Sequence, residues 1–238
     1  MSALSKNWKP SQHDFNKLAA AWRALVSIPA AALLVACIAA FPVVSPAKTP
    51  PSAVGTVLIV GDSLSAEYGL KRGTGWVPLL EKELARENNP VKVINASISG
   101  DTTSGGRSRL APLLALHKPG VVVIELGGND ALRGLPLDIT EKNITAMTQA
   151  SKKAGAKVLI VGMQVPPNYG GAYGATFAGL FGKVAKAEKV SLVPFLLMGI
   201  ADVQDSASRF QADRIHPNEQ QQAAMLGNVW PELRKLLK

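Results

Sequence analysis

The sequence predicts an α/β protein, built as a three-layer α/β/α sandwich around a five-stranded parallel sheet. Two observations support this prediction. Five short segments are aliphatic almost without interruption, which is the pattern of parallel strands covered on both faces. These segments alternate with stretches that have the apolar spacing of helices, which indicates βαβ units joined by right-handed crossovers.

The predicted strands are TVLIVG from Thr56, VKVINA from Val91, VVVIEL from Val121, KVLIVG from Lys157 and VSLVPF from Val190. The predicted helices span residues 76–86, 102–116, 139–154, 177–188 and 219–236. A helix therefore follows each strand, as βαβ units require. The Pro-rich stretch AKTPPSAVG precedes the first strand, so we expect residues 48–55 to be a linker and residues 56–238 to form one domain.

The first 47 residues have the layout of a targeting segment. Residues 24–47 contain no charged side chain, and four Lys or Arg precede them against one acidic residue. This layout is typical of a secretory signal peptide, with Ser45-Pro46-Ala47 as a candidate cleavage site. The apolar stretch is also long enough for an uncleaved membrane anchor, and Cys37 lies in LVAC, which resembles a lipoprotein lipobox. We expect secretion across the inner membrane to the periplasm, with anchoring in that membrane or lipidation as alternatives.

The net charge is +9, from 26 Lys and Arg against 17 Asp and Glu. The basic residues are scattered and lack interleaved aromatic residues, so we expect no nucleic-acid partner. A moderately basic surface could instead favour anionic membrane surfaces or acyl substrates that carry phosphate. Cys37 is the only cysteine, so the predicted domain has no disulfide to form.

Residues with catalytic potential follow the first three predicted strands. Gly61-Asp62-Ser63 follows the first strand, Gly100 lies in SISGDTTSGG after the second, and Asn129 lies in GGND after the third. In open parallel sheets, ligands bind beyond the carboxyl ends of the strands. Ser63 is therefore a candidate nucleophile. We expect Gly61 to let the chain turn and Asp62 to cap that turn.

A serine nucleophile needs a base, and the chain contains three histidines. His13 lies in the leader, and His117 precedes the third strand, which places it at the opposite edge of the sheet. His216, in DRIHPNEQ, remains as the candidate base. Asp213 lies three residues before it, within reach of the imidazole in a tight turn, where it would fix the tautomer. Pro217 disfavours a helical conformation at His216, so we expect the pair in a loop.

These segments resemble the SGNH (GDSL) hydrolase family. GDSLS, with Ser63, matches the first block of that family, and Gly100, Asn129 and the pair Asp213 and His216 match the later blocks in order. More narrowly, the chain is similar to the bacterial secreted arylesterase, acyl-CoA thioesterase I and lysophospholipase group through SAEYGL, GTGW, GGNDALRGLP and PPNYG. The resemblance implies a flavodoxin-like fold and a serine esterase that cleaves esters or thioesters through an acyl-enzyme on Ser63, without cofactor or metal.

The resemblance also implies an oxyanion hole formed by the backbone N–H groups of Ser63 and Gly100 and the side-chain amide of Asn129. The substrate would be a small-molecule acyl ester or thioester, and we expect a monomer. Three aromatic residues either shape the acyl pocket or pack in the core: Tyr169, Tyr173 and Phe177. We expect Arg107 and Arg109 on a solvated helix face rather than against an anionic substrate.

Two other functions fit parts of the pattern. The same catalytic set can serve a carbohydrate O-acetylesterase. The glycine-rich loops could instead cradle phosphate in a non-catalytic binding protein, although no G-x-x-x-x-G-K-[ST] or G-x-G-x-x-G motif lies at a strand-to-helix junction. Ser65 stands where the G-x-S-x-G elbow has its second glycine, which argues against an α/β-hydrolase fold.

Overall fold

A computed structural model describes residues 55–238 of the chain. The predicted leader, residues 1–47 with Cys37, and the linker up to residue 54 lie outside the described residues. No helix within residues 55–238 combines the length and the apolarity that crossing a bilayer requires.

Strands and helices alternate along the described chain. The strands are β1 (Thr56–Gly61), β2 (Lys92–Asn95), β3 (Val121–Glu125), β4 (Lys157–Val161) and β5 (Ser191–Val193). The α-helices are α1 (Trp76–Arg86), α2 (Thr103–His117), α3 (Gly128–Leu132), α4 (Leu137–Lys153), α5 (Gly171–Glu188) and α6 (Gln222–Leu236). Short 3-10 turns occupy Pro167–Tyr169, Ser206–Arg209 and Glu219–Gln221.

The five strands form one parallel sheet in the order β2-β1-β3-β4-β5, which confirms the predicted sheet. The chain runs from β1 to β2 on one side and then crosses to β3 on the other side of β1. Strand order therefore reverses at β1, and a crevice opens at such a point beyond the carboxyl ends of the strands. Ser63 follows β1 and Asn129 follows β3, so both lie at this crevice.

The sheet forms the centre of the core. Every residue of β3 and all but the first of β1 are buried, as expected for strands covered on both faces. Helices α1 and α6 pack against each other, while α4 packs against both α2 and α5. These two groups are the outer layers of the sandwich. Trp76, Phe177 and Phe181 are the largest side chains buried between the layers.

Two helices differ from the sequence prediction. Helix α3 was not predicted because five residues are too few to show a helical apolar period. Helix α5 begins at Gly171, six residues before the predicted start at residue 177. The prediction began too late because Gly171 and Gly174 lower the helix propensity of the first turns. A tertiary contact offsets this cost, since the Tyr173 hydroxyl donates to the carbonyl oxygen of Ala131 at 3.1 Å.

Candidate active site

Ser63 lies in the turn that leaves β1. Asp62 closes this turn with both its side chain and its backbone, as expected for a cap. Its Oδ1 accepts the N–H of Leu64 at 3.0 Å, and its backbone oxygen accepts the N–H of Ala66 at 2.9 Å. The hydroxyl of Ser63 is thereby presented at the carboxyl end of the sheet.

Gly61 is the last residue of β1. Its φ does not lie in the left-handed region, so glycine serves here through the space that its missing side chain leaves for the turn. A Cβ at this position would lie 2.7 Å from Oε2 of Glu125 and 2.9 Å from Oγ of Ser65. A side chain at this position would therefore force Glu125 or the turn that carries Ser63 to move.

Three side chains form a hydrogen-bonded series. The Ser63 hydroxyl donates to Nε2 of His216 at 2.8 Å, and Nδ1–H of His216 donates to Oδ2 of Asp213 at 2.6 Å. The other carboxylate oxygen of Asp213 accepts the backbone N–H groups of Ile215 and His216 at 2.9 and 3.1 Å. Although partial burial acts against it, these hydrogen bonds and the imidazole lower the pKa of Asp213 below its ordinary value. The carboxylate therefore stays ionised and fixes the imidazole tautomer whose Nε2 can accept a proton.

The loop between β5 and α6 holds His216 in place. Its backbone oxygen accepts the N–H of Gln211 at 2.8 Å, and Phe210 and Pro217 form an antiparallel bridge around it. The ring of Tyr68 packs on the imidazole with the centroids 4.4 Å apart. Sequence analysis did not identify Tyr68 as a site residue, although it lies in the motif SAEYGL and in the same turn as Ser63.

The three predicted oxyanion groups lie around the same cavity. Gly100 has a φ of +78°, a conformation that favours glycine. Asn129 is the second residue of α3, and its Nδ2 donates to Oδ2 of Asp62 at 3.1 Å, which leaves one amide hydrogen free for another acceptor. Within residues 55–238, the backbone N–H groups of Ser63 and Gly100 donate to no other residue.

The cavity beside Ser63 has a volume of about 740 Å³. Most of its wall is apolar, including Met163, Val165, Phe195, Leu197, Phe210 and Ile215. A largely apolar cavity with a few convergent polar groups is the usual form of a small-molecule site. No group of three or more His, Cys, Asp or Glu side chains in the described chain is arranged to hold a metal ion. The arrangement provides a nucleophile, a base and hydrogen-bond donors next to an apolar pocket, which are the parts that acyl transfer needs.

Comparison with known proteins agrees with this chemistry. Residues 59–224 match the model of the GDSL-like lipase/acylhydrolase family. The chain belongs to this family. It is 51% identical over 189 residues to the esterase TesA of Pseudomonas aeruginosa, and the aligned region covers 79% of this chain and 92% of that protein. It is 40% identical over 186 residues to thioesterase 1/protease 1/lysophospholipase L1 of Escherichia coli K12, covering 78% and 86% of the two chains.

The fold agrees as well. The crystal structure of TesA matches this GDSL-family chain with a TM-score of 0.73, over 76% of this chain and 99% of that chain. The chain is therefore an ester-hydrolysing enzyme with an SGNH hydrolase fold, as the sequence resemblance implied.

In this GDSL-family enzyme, a buried carboxyl group lies beneath the turn that carries Ser63. Glu125 is fully buried at the end of β3, where its Oε2 accepts the Ser65 hydroxyl at 2.7 Å and the N–H of Asp62 at 3.3 Å. The indole N–H of Trp76 donates to the same Ser65 hydroxyl at 3.2 Å. Burial and the neighbouring charge of Asp62 raise the pKa of Glu125 well above its ordinary value, and burial raises the pKa of Asp62 to about 6. Sequence analysis missed Glu125 because its contacts are with residues about sixty positions earlier.

The three candidate pocket aromatics of this GDSL-family enzyme do not line the cavity. Phe177 is fully buried and packs edge-to-face on Phe181. Tyr169 and Tyr173 each donate a hydroxyl hydrogen to a backbone carbonyl of α3, at 3.3 and 3.1 Å. Of the two alternatives, packing therefore describes Phe177, which lies in the core, and Tyr173, which packs against it, whereas Tyr169 is exposed.

Proposed function

We propose that this enzyme hydrolyses carboxylic esters or thioesters through an acyl-enzyme formed on Ser63. The observation that carries the proposal is the series from the Ser63 hydroxyl through His216 to Asp213, which opens into an apolar cavity. The free N–H groups of Ser63 and Gly100 and the amide of Asn129 support it, because tetrahedral intermediates of acyl transfer need such donors.

In the first half of the reaction, Oγ of Ser63 attacks the acyl carbonyl carbon while Nε2 of His216 takes the hydroxyl proton. The tetrahedral intermediate carries its negative charge on the former carbonyl oxygen, which the three donors stabilise. Its collapse breaks the bond to the leaving oxygen or sulfur, and His216 returns the proton to that atom. Water then attacks the acyl-enzyme in the same way and releases the carboxylic acid, while His216 returns its proton to Ser63.

The substrate we propose is a small molecule with an apolar acyl chain. The cavity volume of about 740 Å³ and its largely aliphatic and aromatic wall suit such a chain. The relatives named esterase and thioesterase 1/protease 1/lysophospholipase L1 support both oxygen and sulfur leaving groups. Acetyl groups alone would leave most of this cavity unfilled, so the cavity favours the acyl esterase over the carbohydrate O-acetylesterase.

Kinetics on a series of acyl chains test this function. We expect kcat/KM for para-nitrophenyl esters and acyl-CoA thioesters to rise from two-carbon to medium-length acyl chains, and S63A and H216A to lose nearly all activity. A preference for acetate across the series would support the O-acetylesterase instead. Full activity of S63A would contradict the acyl-enzyme.

We also propose that residues 1–47 direct the enzyme across the inner membrane. The leader then has three alternative fates, which are cleavage, retention as a membrane anchor, or lipidation at Cys37. The uncharged stretch 24–47 with its basic flank supports the proposal. The amino-terminal residue and mass of the protein recovered from periplasmic and membrane fractions distinguish the three fates. Intact protein in the cytoplasm alone would contradict export.

A further inference from the structure

Arg109 does not lie on a solvated helix face, contrary to the sequence expectation. It belongs to α2, and its side chain points towards the carboxyl ends of β1 and β2, where 19% of it is exposed. Arg107, two residues earlier on the same helix, is exposed and donates one hydrogen bond, to Oδ1 of Asn143 at 3.1 Å. The two arginines therefore have different surroundings although they lie two residues apart on the same helix.

The guanidinium of Arg109 donates to three acceptors, one at the end of β1 and two in the loop between β2 and α2. Its Nε donates to Oδ2 of Asp101 at 2.7 Å, and its Nη2 donates to the carbonyl oxygen of Gly61 at 3.3 Å. Its Nη1 donates to the carbonyl oxygen of Ala96, in the loop that follows β2. A planar guanidinium suits this task because it holds several donors in a fixed geometry.

Two of the three acceptors lie next to proposed catalytic groups. Gly61 is followed by Asp62 and then Ser63, and Asp101 directly follows Gly100. One side chain thus joins the end of the strand that presents the nucleophile to the loop that presents an oxyanion donor. Arg109 is not among the residues that line the cavity, so it acts on these segments and not on the substrate.

We propose that Arg109 is a positioning residue that sets the place of the Gly100 N–H relative to the Ser63 hydroxyl. This inference rests on the roles proposed above for Ser63 and Gly100. Oxyanion donors act only when they lie about 2.7–3.1 Å from the position that the oxyanion takes. A displacement of about 1 Å in a catalytic group can cost about 10²-fold in rate. Loss of Arg109 is therefore expected to act on kcat, because binding of the acyl chain depends on other residues.

The test compares R109A with R107A, which deletes the same side chain two positions away on α2. With para-nitrophenyl butyrate we expect R109A to lose about 10- to 100-fold in kcat with KM within about threefold, and R107A to stay within about twofold of the unaltered enzyme. R109K is expected to fall between them, because an ammonium can pair with Asp101 but cannot reach three acceptors in one plane. Circular dichroism establishes that each variant is folded, and if R109A is not, R109K carries the comparison with R107A.

Chemical rescue separates a local role from a general loss of stability. Guanidinium at about 20 mM lies far below the molar concentrations that unfold proteins. We expect it to raise kcat of R109A at least about fivefold over an equal concentration of potassium chloride, and to leave R107A unchanged. No response in R109A, or an equal response in both variants, would contradict the proposal.

The remaining outcomes are also decisive. A kcat of R109A equal to that of R107A, or a loss that appears entirely in KM, would overturn the positioning role. S63A in the same assay tests the function itself, because a fully active S63A would remove the proposed function whatever Arg109 does. An inactive S63A together with a normal R109A would overturn only the inference about Arg109.

Discussion

At the scale of single residues, the carboxylate of Asp62 orients the amide of Asn129. Oδ1 of Asp62 is occupied by the N–H of Leu64, and Oδ2 accepts from Nδ2 of Asn129. Both oxygens act as acceptors, so the Asn129 amide must turn its nitrogen towards residue 62. The residue before the nucleophile therefore sets which end of the Asn129 amide faces the reacting oxygen.

Removal of the Asn129 amide tests whether it stabilises the oxyanion. We expect N129A to lose on the order of 10²-fold or more in kcat, about 3 kcal/mol, because one oxyanion donor contributes about this much. Steady-state kinetics with a para-nitrophenyl ester measure the effect. A loss below about threefold would exclude Asn129 from the oxyanion hole.

The variant D62N tests how Asn129 is oriented. In D62N, the amide oxygen at position 62 still accepts the N–H of Leu64, so the amide NH₂ group faces the NH₂ group of Asn129. Two donors cannot form a hydrogen bond with each other, so the Asn129 amide must flip. We expect kcat to fall by about 10²-fold, as in N129A, because the flip turns a carbonyl oxygen towards the oxyanion. The double variant D62N/N129A should be no slower than the slower single variant, since both remove the same donor. Additive losses would show that the two residues act independently.

At the scale of elements, the end of β1 depends on a glycine. We expect G61A to lose about 1–3 kcal/mol in the free energy of unfolding, because the added methyl group presses on Glu125 and Ser65. G227A in α6 is the matched control, since a Cβ there meets nothing within 4 Å and alanine favours a helix. Urea unfolding measures both variants. An equally stable G61A would show that the turn can move away without cost.

Sequence patterns predicted the elements well where the signal was local. The aliphatic runs identified all five strands, and the exclusion of His13 and His117 left His216, which the structure places 2.8 Å from the Ser63 hydroxyl. Glu125 was missed because its hydrogen bonds reach residues 60 and 63 positions earlier, which no local pattern records. Arg109 was wrongly expected on a solvated face because its hydrogen bond to Gly61 spans 48 positions. The sequence left open whether Tyr173 packs or lines the pocket, because its hydrogen bond reaches Ala131, 42 positions earlier.

At the scale of the whole molecule, the sheet order places the two buried carboxyl groups between β1 and β3, and stability should depend on their protonation. The pKa of Asp62 rises from 3.8 to about 6 in the folded chain because of burial. Between these values the folded state binds more protons than the unfolded state, so the stability from this group is complete at low pH and is lost as pH rises through about 6. Glu125 acts in the same direction.

Urea unfolding of the unaltered enzyme and D62N at several pH values checks this dependence. The compared quantity is the unfolding free energy of the unaltered enzyme minus that of D62N. We expect this difference to fall by up to about 3 kcal/mol between pH 4 and pH 7, because the rise in the pKa of Asp62 corresponds to about this amount. The difference cancels the contributions of the distant carboxyl groups, several of which have lowered pKa values. It includes the part of the rise in the pKa of Glu125 that the charge of Asp62 causes. A difference independent of pH would contradict the raised pKa of the buried Asp62.

The most direct measurement of the central claim is the site of covalent modification by a fluorophosphonate. The reagent reacts with a serine only when a base activates it and donors hold the phosphoryl oxygen, so it reports the Ser63, His216 and oxyanion groups together. We expect one adduct per chain, mapped by peptide mass spectrometry to Ser63, and none in S63A or H216A. An adduct on another residue, or labelling that persists in S63A, would contradict Ser63 as the nucleophile.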